Sequence, residues 1–434
     1  MVDPPPVARV RRFPVLLDSL SDQDQSAPRL PAPLTSFIGR EQELGAVVAL
    51  LGCPEVRLLT LTGPGGIGKT RLALRVIDTV GDASAGGAVV VSLAPVRDPA
   101  LVLPAMAQAL NVPEVAGTSL PGRIQASLAE RRLLLLLDNT EHLLDAVAPL
   151  VADLLATCPE LTVLATSRVR LNVSGERVVP VAPLDPETAR GLFAQRAEAV
   201  DSAFAITSET SPVIDAICSR LDRLPLAIEL AAARVNMFPP LALLARLEHR
   251  LDLLTGGPRD APDRQRDMRA AIAWSHDLLP EPEQVLFRRL GVFVGGFTLD
   301  AAAAVGGPGT DALAGVTALD ASSLLQMSPG WNGEPRFTML ETIREYALER
   351  LDESGDEPAA RRRFATWSSN LAAGLDTARF TPEEFDTLDK LEWDIANFRE
   401  ALHWYDRSGD RASMLRMAGS LGPLWATHGH GREG

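Results

Sequence analysis

The sequence predicts a three-layer α/β domain, then an all-α helical domain, a winged-helix domain and the start of an array of helical hairpins. Short, fully apolar segments alternate with helical patterns between residues 56 and 166. This alternation is typical of a parallel sheet that helices cover on both faces. After Pro183 the strand patterns stop and helical patterns follow one another. Functional residues are expected at the carboxyl ends of the strands, where such sheets bind ligands.

Shifts in composition and periodicity divide the 434 residues into five segments. Residues 1–34 are rich in Pro, Asp, Ser and Gln and predict a disordered leader or linker. The last segment looks truncated, because helical arrays need about three repeats to bury their apolar faces. The predicted domains are the α/β domain at 35–183, the helical domain at 184–258, the winged-helix domain at 259–352 and TPR-like helical repeats at 353–434.

Charge and cysteine content exclude several classes of protein. The net charge of −14 disfavours nucleic acids and anionic lipids as partners unless basic residues cluster locally. The three cysteines are far apart and form no C-x-x-C pattern, so neither a disulfide framework nor a zinc site is predicted. No stretch approaches the length of a membrane span. We therefore expect a cytoplasmic protein without membrane attachment.

A phosphate-binding loop is the strongest motif in the chain. The segment GPGGIGKT at 63–70 lies between a predicted strand and a predicted helix and matches the pattern G-x-x-x-x-G-K-[ST]. Its glycines let backbone N–H groups converge on phosphate oxygens, Lys69 reaches the β- and γ-phosphates, and Thr70 can ligate Mg²⁺. The alternative, a chance glycine-rich turn, does not explain the strand before and the helix after. The residues predicted to contact nucleotide here are Gly63, Gly65, Gly66, Ile67, Gly68, Lys69, Thr70 and Arg71.

The segment LLLLLDN at 133–139 predicts a buried strand that delivers Asp138 to the same edge of the sheet. A carboxylate there can hold the water shell of Mg²⁺, so Asp138 and Thr70 form the predicted metal site. Asn139 occupies the position directly after Asp138, where ATPases with rapid turnover often have a second acidic residue. Glu141 is then the nearest candidate for a catalytic general base, and the alternative is an acid that merely favours the start of a helix.

Another predicted strand, at 161–166, ends in Thr-Ser-Arg. This places Arg168 at the carboxyl edge of the sheet, on the same side as the phosphate-binding loop. Two interpretations are equally open from the residues alone: Arg168 touches a γ-phosphate, or it is an ordinary surface arginine at a strand end.

Five motifs together resemble the STAND, or NB-ARC-type, ATPases, and more narrowly the AAA+-like ATPase half of bacterial LuxR- and AfsR-type regulators. The motifs are FIGRE at 37–41, GPGGIGKT, LLLLLDNTEH, TSR and RLDRLPLAIELAAAR at 220–234. The resemblance runs from residue 35 to the end of the chain. It implies that the segment of Phe37, Ile38, Gly39 and Arg40 contacts the base, that Arg168 senses the γ-phosphate and that Pro225 packs on the nucleotide.

The resemblance implies a signal-transduction ATPase that is closed with ADP, opens with ATP and acts in the regulation of transcription. Hydrolysis would be slow and serve the switch. Leu340 replaces the His of the Met-His-Asp motif of related apoptotic and plant immune ATPases, so ADP would be held more weakly or by other groups. A turnover ATPase or kinase-like enzyme is the first alternative, and a nucleotide-binding repeat scaffold is the second.

Partners are expected at the helical repeats, through a protein partner or self-assembly. The candidate recognition helix at 311–326, DALAGVTALDASSLLQ, contains no Arg or Lys. DNA readers need such residues toward bases and phosphates. DNA is therefore expected to be bound only through a domain outside this chain.

Overall fold

The computed structural model describes residues 36–80, 87–113, 119–247, 250–257 and 266–427. The predicted leader at 1–34 lies outside the described residues. The chain divides into two compact units. The first comprises the described residues up to Ala199 together with Arg223–Glu229, and the second comprises Val200–Asp222 and the described residues from Leu230 onward.

The first unit is built on a five-stranded sheet in the order β2-β3-β4-β1-β5, with every neighbouring pair parallel. Its strands are β1 (Leu58–Thr62), β2 (Ala88–Ser92), β3 (Leu134–Asp138), β4 (Thr162–Thr166) and β5 (Glu176–Pro180). Its helices are α1 (Glu41–Leu51), α2 (Lys69–Val80), α3 (Val102–Ala109), α4 (Leu120–Leu128), α5 (Leu144–Thr157) and α6 (Pro186–Val200).

Helices cover both faces of this sheet, which confirms the predicted three-layer α/β plan. Successive side chains of a strand point to opposite faces. Leu135 and Leu137 of β3 belong to the apolar cluster that contains the buried residues of α3, α4 and α5. Helix α2 packs against β1, β3 and β4 through its own buried stripe. The run of leucines in β3 is therefore buried on both sides, as a central parallel strand requires.

Strand β5 was not predicted. It pairs with β1 at the edge of the sheet, and its residues ERVVP are exposed or half-buried. The Glu176 carboxylate accepts hydrogen bonds from the backbone N–H groups of Leu171 (2.8 Å) and Asn172 (2.7 Å), which closes the loop that precedes the strand. A polar edge strand lacks the continuous apolar run that identified the other four.

The second unit is helical except for one two-stranded hairpin among the residues described. The chain continues with α7 (Ser211–Arg220) in the second unit and α8 (Pro225–Ala232), whose residues are divided between the two units. The remaining helices all belong to the second unit: α9 (Pro240–Arg246), α10 (Arg250–Leu253), α11 (Met268–His276), α12 (Glu281–Leu290), α13 (Leu299–Gly306), α14 (Ala312–Ala321), α15 (Glu341–Glu353), α16 (Glu357–Ala378), α17 (Glu384–Glu392), α18 (Ile395–Ser408), α19 (Arg411–Ser420) and α20 (Gly422–Thr427).

Helices α12 to α15 and the hairpin form the predicted winged helix. Strands β6 (Gln326–Pro329) and β7 (Pro335–Thr338) pair antiparallel, and Phe297 pairs with Phe337 through two backbone hydrogen bonds of 2.9 and 2.8 Å. The helix predicted over 311–326 is shorter than expected. It ends at Ala321, because Gln326 already begins the first strand of the wing.

A buried polar network connects the wing to the helices that follow it. The Arg336 guanidinium donates to Asp394 Oδ1 (2.8 Å) and to the carbonyl oxygens of Gly295 and Trp393. Asn397 donates to the same oxygen of Asp394. A buried ion pair of this kind is costly to break, so the wing and helices α17 and α18 are held together.

In the described ranges, no helix is both long and apolar enough to cross a bilayer. All three cysteines are free thiols. No cluster of three or more His, Cys, Asp or Glu side chains there has the arrangement of a metal site.

Candidate functional site

The phosphate-binding loop connects β1 to α2 and requires glycine at several positions. Gly63, Gly66 and Gly68 have φ values of +145°, +77° and +97°, which side chains other than glycine rarely adopt. A Cβ on Gly66 would lie 2.9 Å from Cβ of Leu226. The backbone N–H of Leu226 also donates to the Gly66 oxygen at 3.2 Å. The start of α8 therefore packs directly on the loop.

Lys69 opens helix α2 and extends back over the loop. Its Nζ donates to the carbonyl oxygens of Gly63 (2.6 Å) and Pro64 (3.0 Å). These contacts hold the ammonium group above the glycine-rich turn. A lysine in this position brings its positive charge to the place where the loop N–H groups and the helix N-terminus favour an anion.

Thr70 and Asp138, the two residues of the expected metal site, are in direct contact. Asp138 ends β3 and is in register with Thr166 at the end of β4. Its Oδ1 accepts hydrogen bonds from the hydroxyl groups of Thr70 (2.7 Å) and Thr166 (2.6 Å). Thr166 was known from the sequence only as a strand end, and the structure shows that it holds the carboxylate. Asp138 is only 7% exposed, so its orientation is fixed by these two donors.

A tight turn follows Asp138 and is fastened to the end of β4. Asn139 has a left-handed φ of +68°, and its backbone N–H donates to Thr166 Oγ1 at 2.9 Å. The backbone N–H of Thr140 donates to the backbone carbonyl oxygen of Thr166 at 3.0 Å. Asn and Asp tolerate this conformation better than most residues. His142, three residues later, has Nε2 within 2.6 Å of the Val96 oxygen.

Glu141 and Arg168 form a buried ion pair at the same edge. Arg168 Nε lies 3.1 Å from Glu141 Oε1, and the two side chains are 5% and 4% exposed. The roles considered from the sequence, for Glu141 as for Arg168, did not include a pairing between the two. Arg168 is not an ordinary surface residue, because its guanidinium is enclosed and has a carboxylate partner.

Three of the four residues expected at the base, Phe37, Ile38 and Arg40, line one small cleft, and Gly39 is not part of its wall. Pro225, which was expected to pack on the nucleotide, lines the same cleft. Ser36, Leu184 and Leu192 also line the cleft and were not identified from the sequence. Gly68 and Arg71 complete the wall. The cleft is apolar on several sides and opens next to the phosphate-binding loop. Most of its lining is therefore apolar, and Arg40 and Arg71 supply the charged groups.

Arg40 clamps the loop to the segment that follows β5. Its guanidinium donates to the carbonyl oxygens of Ile67 (2.9 Å) and Ala182 (2.9 Å) and lies 3.3 Å from Glu43. Burial lowers the pKa of Arg40, and the nearby Glu43 acts in the opposite direction. Gly39, with φ of +68°, leaves no room for a side chain, because a Cβ would lie 2.3 Å from Thr188 Cγ2.

A second ion-pair cluster fixes the rim of the cleft. The Glu229 carboxylate of α8 accepts from Arg71 Nη1 at 2.8 Å and from Arg196 Nε at 3.0 Å. The sequence placed Arg71 at the nucleotide but gave no sign of Glu229 or Arg196. This cluster connects the first turn of α2 with α6 and α8, so the side of the cleft that contains Pro225 is held in place.

Two sequence families match separate parts of the chain. Residues 55–179 match the AAA domain family, and residues 279–352 match the winged helix-turn-helix domain family. The first match covers the sheet with its phosphate-binding loop, and the second covers α12 to α15 with the wing hairpin.

One relative that matches most of the chain is a mycobacterial protein. The chain is 39% identical over 356 residues to the Mycobacterium tuberculosis protein Rv0894, whose function is uncharacterised, and the match covers 81% of this chain and 89% of that protein. The chain belongs to this family of AAA-type P-loop ATPases with a winged helix-turn-helix domain. Nucleotide binding by the P-loop domain follows from that membership.

Two longer relatives carry names that describe regulators. The M. tuberculosis protein named HTH-type transcriptional regulator Rv0890c is 42% identical over 388 residues, which are 87% of this chain and 43% of that protein. The regulatory protein AfsR of Streptomyces coelicolor is 28% identical over 416 residues, 87% of this chain and 39% of AfsR. This P-loop ATPase thus spans less than half the length of both regulators, and its predicted resemblance to AfsR-type proteins is confirmed.

Proposed function

We propose that this chain is an ATP- and ADP-binding switch ATPase that acts in transcriptional regulation. The observation that carries the proposal is the convergence of Lys69, the Thr70 and Asp138 pair, and Arg168 at one edge of the sheet. These groups suit a nucleotide whose phosphates lie across the P-loop. Arg168, which is buried at this edge, would add a charge contact that depends on the third phosphate.

A magnesium ion fits beside Thr70 and Asp138. Mg²⁺ prefers oxygen ligands and keeps several waters, and one carboxylate with one hydroxyl group matches that demand. The 2.7 Å contact between Thr70 Oγ1 and Asp138 Oδ1 supports this proposal, because it brings two candidate oxygen ligands close together. When bound, the ion would neutralise charge on the β- and γ-phosphates.

The base is proposed to enter the cleft formed by Phe37, Ile38, Leu184, Leu192 and Pro225. Apolar side chains there would contact the base. Arg40 would contact the base mainly through its own backbone atoms, because its guanidinium already donates to two carbonyl oxygens. Gly68 and Arg71 also line the cleft, which supports a base in the cleft with its phosphates on the loop.

Slow hydrolysis is proposed from the groups that follow Asp138. Asn139 carries an amide and cannot accept a proton from water as a carboxylate does. Glu141 already accepts a hydrogen bond from Arg168. Neither residue is well suited to drive rapid turnover, so the bound nucleotide would persist long enough to set a conformation of the chain.

The regulatory context comes from the relatives. Rv0890c is named as a transcriptional regulator and AfsR as a regulatory protein, and both extend well beyond the length matched here. We propose the same context for this chain, with a cytoplasmic location, a LuxR- and AfsR-type organisation, and α16 to α20 serving as TPR-like repeats for a protein partner or self-assembly. The four predicted domain boundaries belong to this proposal as well.

Calorimetry with ADP and Mg²⁺ tests the nucleotide site. Lys69→Ala removes the ammonium group from the loop and should abolish binding while the circular dichroism spectrum and melting temperature stay unchanged, because Lys69 contributes little to the core. Lys390→Ala is the matched control, since Lys390 is the only other lysine and lies exposed on α17. Equal ADP affinity in wild type and Lys69→Ala would refute the site.

A further inference from the structure

We propose that Glu141 is an internal competitor of the γ-phosphate for Arg168, and that it thereby sets the preference of the site between ATP and ADP. The inference rests on the proposed function, because it requires nucleotide at the P-loop. It assigns Glu141 a positioning role through Arg168 and removes it from the candidates for a general base.

The pair owes its position to two neighbouring parallel strands. Glu141 follows β3 and Arg168 follows β4, and the Thr140 N–H to Thr166 oxygen bond keeps the two segments together. Ser167 donates its backbone N–H to the Leu61 oxygen at 3.0 Å. Leu61 is two residues before Gly63, so Arg168 leaves the sheet beside the first glycine of the P-loop.

Burial makes the partner of Arg168 important. The guanidinium and the carboxylate are each about 95% enclosed and lie 3.1 Å apart. A buried cation requires a counter-charge, and removal of its partner leaves an uncompensated charge. Glu141 provides that counter-charge within the protein. A γ-phosphate would provide the same kind of counter-charge from the ligand.

The two anions cannot both use Arg168 without a cost. A γ-phosphate that approaches the guanidinium also approaches the Glu141 carboxylate, and like charges at short distance repel strongly where water is excluded. ATP must therefore displace or share Arg168, whereas ADP makes no such demand. Glu141 thus weakens ATP binding selectively, and the ADP form is favoured until ATP is abundant.

The same contact argues against catalysis by Glu141. A general base must be free to accept a proton from a water molecule at the γ-phosphate. Glu141 Oε1 accepts from Arg168 Nε, and its side chain is only 4% exposed. The carboxylate is held as the partner of a cation, which is a different task from proton abstraction.

Glu141→Gln separates these roles, because it keeps the shape and the acceptor oxygen but removes the charge. Dissociation constants would be measured by calorimetry for ADP and for the non-hydrolysable analogue AMP-PNP, both with Mg²⁺. We expect the dissociation constant for ADP divided by that for AMP-PNP to rise roughly tenfold, which corresponds to an interaction of about 1.4 kcal/mol. Glu160→Gln is the matched control, since Glu160 is exposed and precedes β4 at the opposite edge of the sheet.

The Arg168→Gln background identifies the path of the effect. There, Glu141→Gln should leave the affinity ratio unchanged, because the cation for which both anions compete is gone. An unchanged ratio in the Arg168-containing protein would overturn the proposal, as would an equal loss of both affinities together with a lower melting temperature. A loss of phosphate release at constant affinities would restore the general-base role. Failure of wild type to bind either nucleotide would instead contradict the proposed function.

Discussion

Asp222 caps the helix that contains Thr342, 120 residues later in the chain. Its carboxylate accepts the backbone N–H of Thr342 (2.8 Å) and the hydroxyl group of the same residue (2.9 Å), as well as the N–H of Glu341 (3.0 Å). Helix α15 thus has a carboxylate at its N-terminus, where the helix dipole favours negative charge. Asp222 directly precedes Arg223–Glu229, the segment that supplies Pro225 to the nucleotide cleft.

Loss of this cap should destabilise the protein. Asp222→Ala removes the acceptor for three donors and should lower the free energy of unfolding of the unit by about 1 kcal/mol, the usual cost of losing an N-cap side chain. Asp222→Asn keeps an acceptor oxygen and should cost less. Urea denaturation followed by circular dichroism measures both variants. Equal losses for Ala and Asn would show that the charge, and not the cap, is what α15 requires.

The charge of Asp222 gives a further, pH-dependent expectation. Burial raises the pKa of Asp222 above its ordinary value of 3.8, although the hydrogen bonds from Thr342 and Glu341 oppose the shift. The folded state then binds more protons than the unfolded state, so the contribution of Asp222 to stability falls as pH rises from 3.8 through the folded-state pKa. The unfolding free energy of wild type relative to Asp222→Asn should therefore decrease over this window. An increase would mean that hydrogen bonding dominates over burial.

Thr166 should matter for the metal because it orients Asp138. Thr166→Val keeps the shape but removes the hydroxyl group that donates to Asp138 Oδ1 and accepts from Asn139 N–H. A hydrogen bond of this kind is worth about 1 kcal/mol, so the Mg²⁺ concentration needed for half-maximal enhancement of ADP binding should rise roughly fivefold. Thr162→Val, at the opposite end of β4, serves as the control. An unaltered Mg²⁺ requirement would place the ion elsewhere.

Hydrolysis should be slow and limited by the missing second acid. Wild type should release phosphate well below about 10 per second, the median turnover of enzymes. Asn139→Asp introduces a carboxylate in a left-handed conformation that Asp also tolerates, so the fold should persist and turnover should rise. Phosphate release by a coupled assay measures both. Wild-type turnover of tens per second that Lys69→Ala abolishes would make the protein a turnover ATPase.

Local sequence was sufficient wherever one segment carries both the element and its chemistry. The apolar run before Asp138 predicts a buried strand, and it also predicts that the Asp138 carboxylate lies at the carboxyl end of that strand. The glycine pattern before Lys69 predicts the loop and its ligand. In both cases the burial of the strand and the strained backbone of the loop leave few alternatives for the residues in them.

Features made by distant segments were not predictable in this way. Strand β5 forms because ERVVP finds the edge of β1, and no apolar pattern marks it. Glu229 lies on the largely apolar start of α8, and its partner Arg71 is 158 residues earlier. Glu141 and Arg168 were each singled out, but their pairing depends on β3 and β4 being neighbours in the sheet, which the order of strands along the chain does not specify.

The candidate recognition helix α14 and the wing present few basic side chains to solvent. The exposed face of α14 includes Leu313, which is 64% exposed, and the helix contains no Arg or Lys. In the wing, Met327 is 64% exposed, while Arg336 is 5% exposed and already bound to carbonyl oxygens and Asp394. Phosphate contacts by Lys and Arg supply most of the non-specific affinity of DNA-binding proteins. The net charge of −14 adds a general repulsion.

This chain should therefore not bind DNA selectively. In a fluorescence-anisotropy titration at low salt, with the promoter nearest its gene, we expect no sequence-selective binding below micromolar concentration. Leu313→Arg combined with Thr317→Arg adds two cations to the exposed face of α14, and should produce weak binding whose logarithmic salt dependence has a slope near −2, about 0.9 per phosphate contact. The paired variant thus shows that the assay detects contacts made by this helix. Tight, salt-sensitive and selective binding by wild type would mean that the winged helix itself reads DNA, through residues other than those of α14.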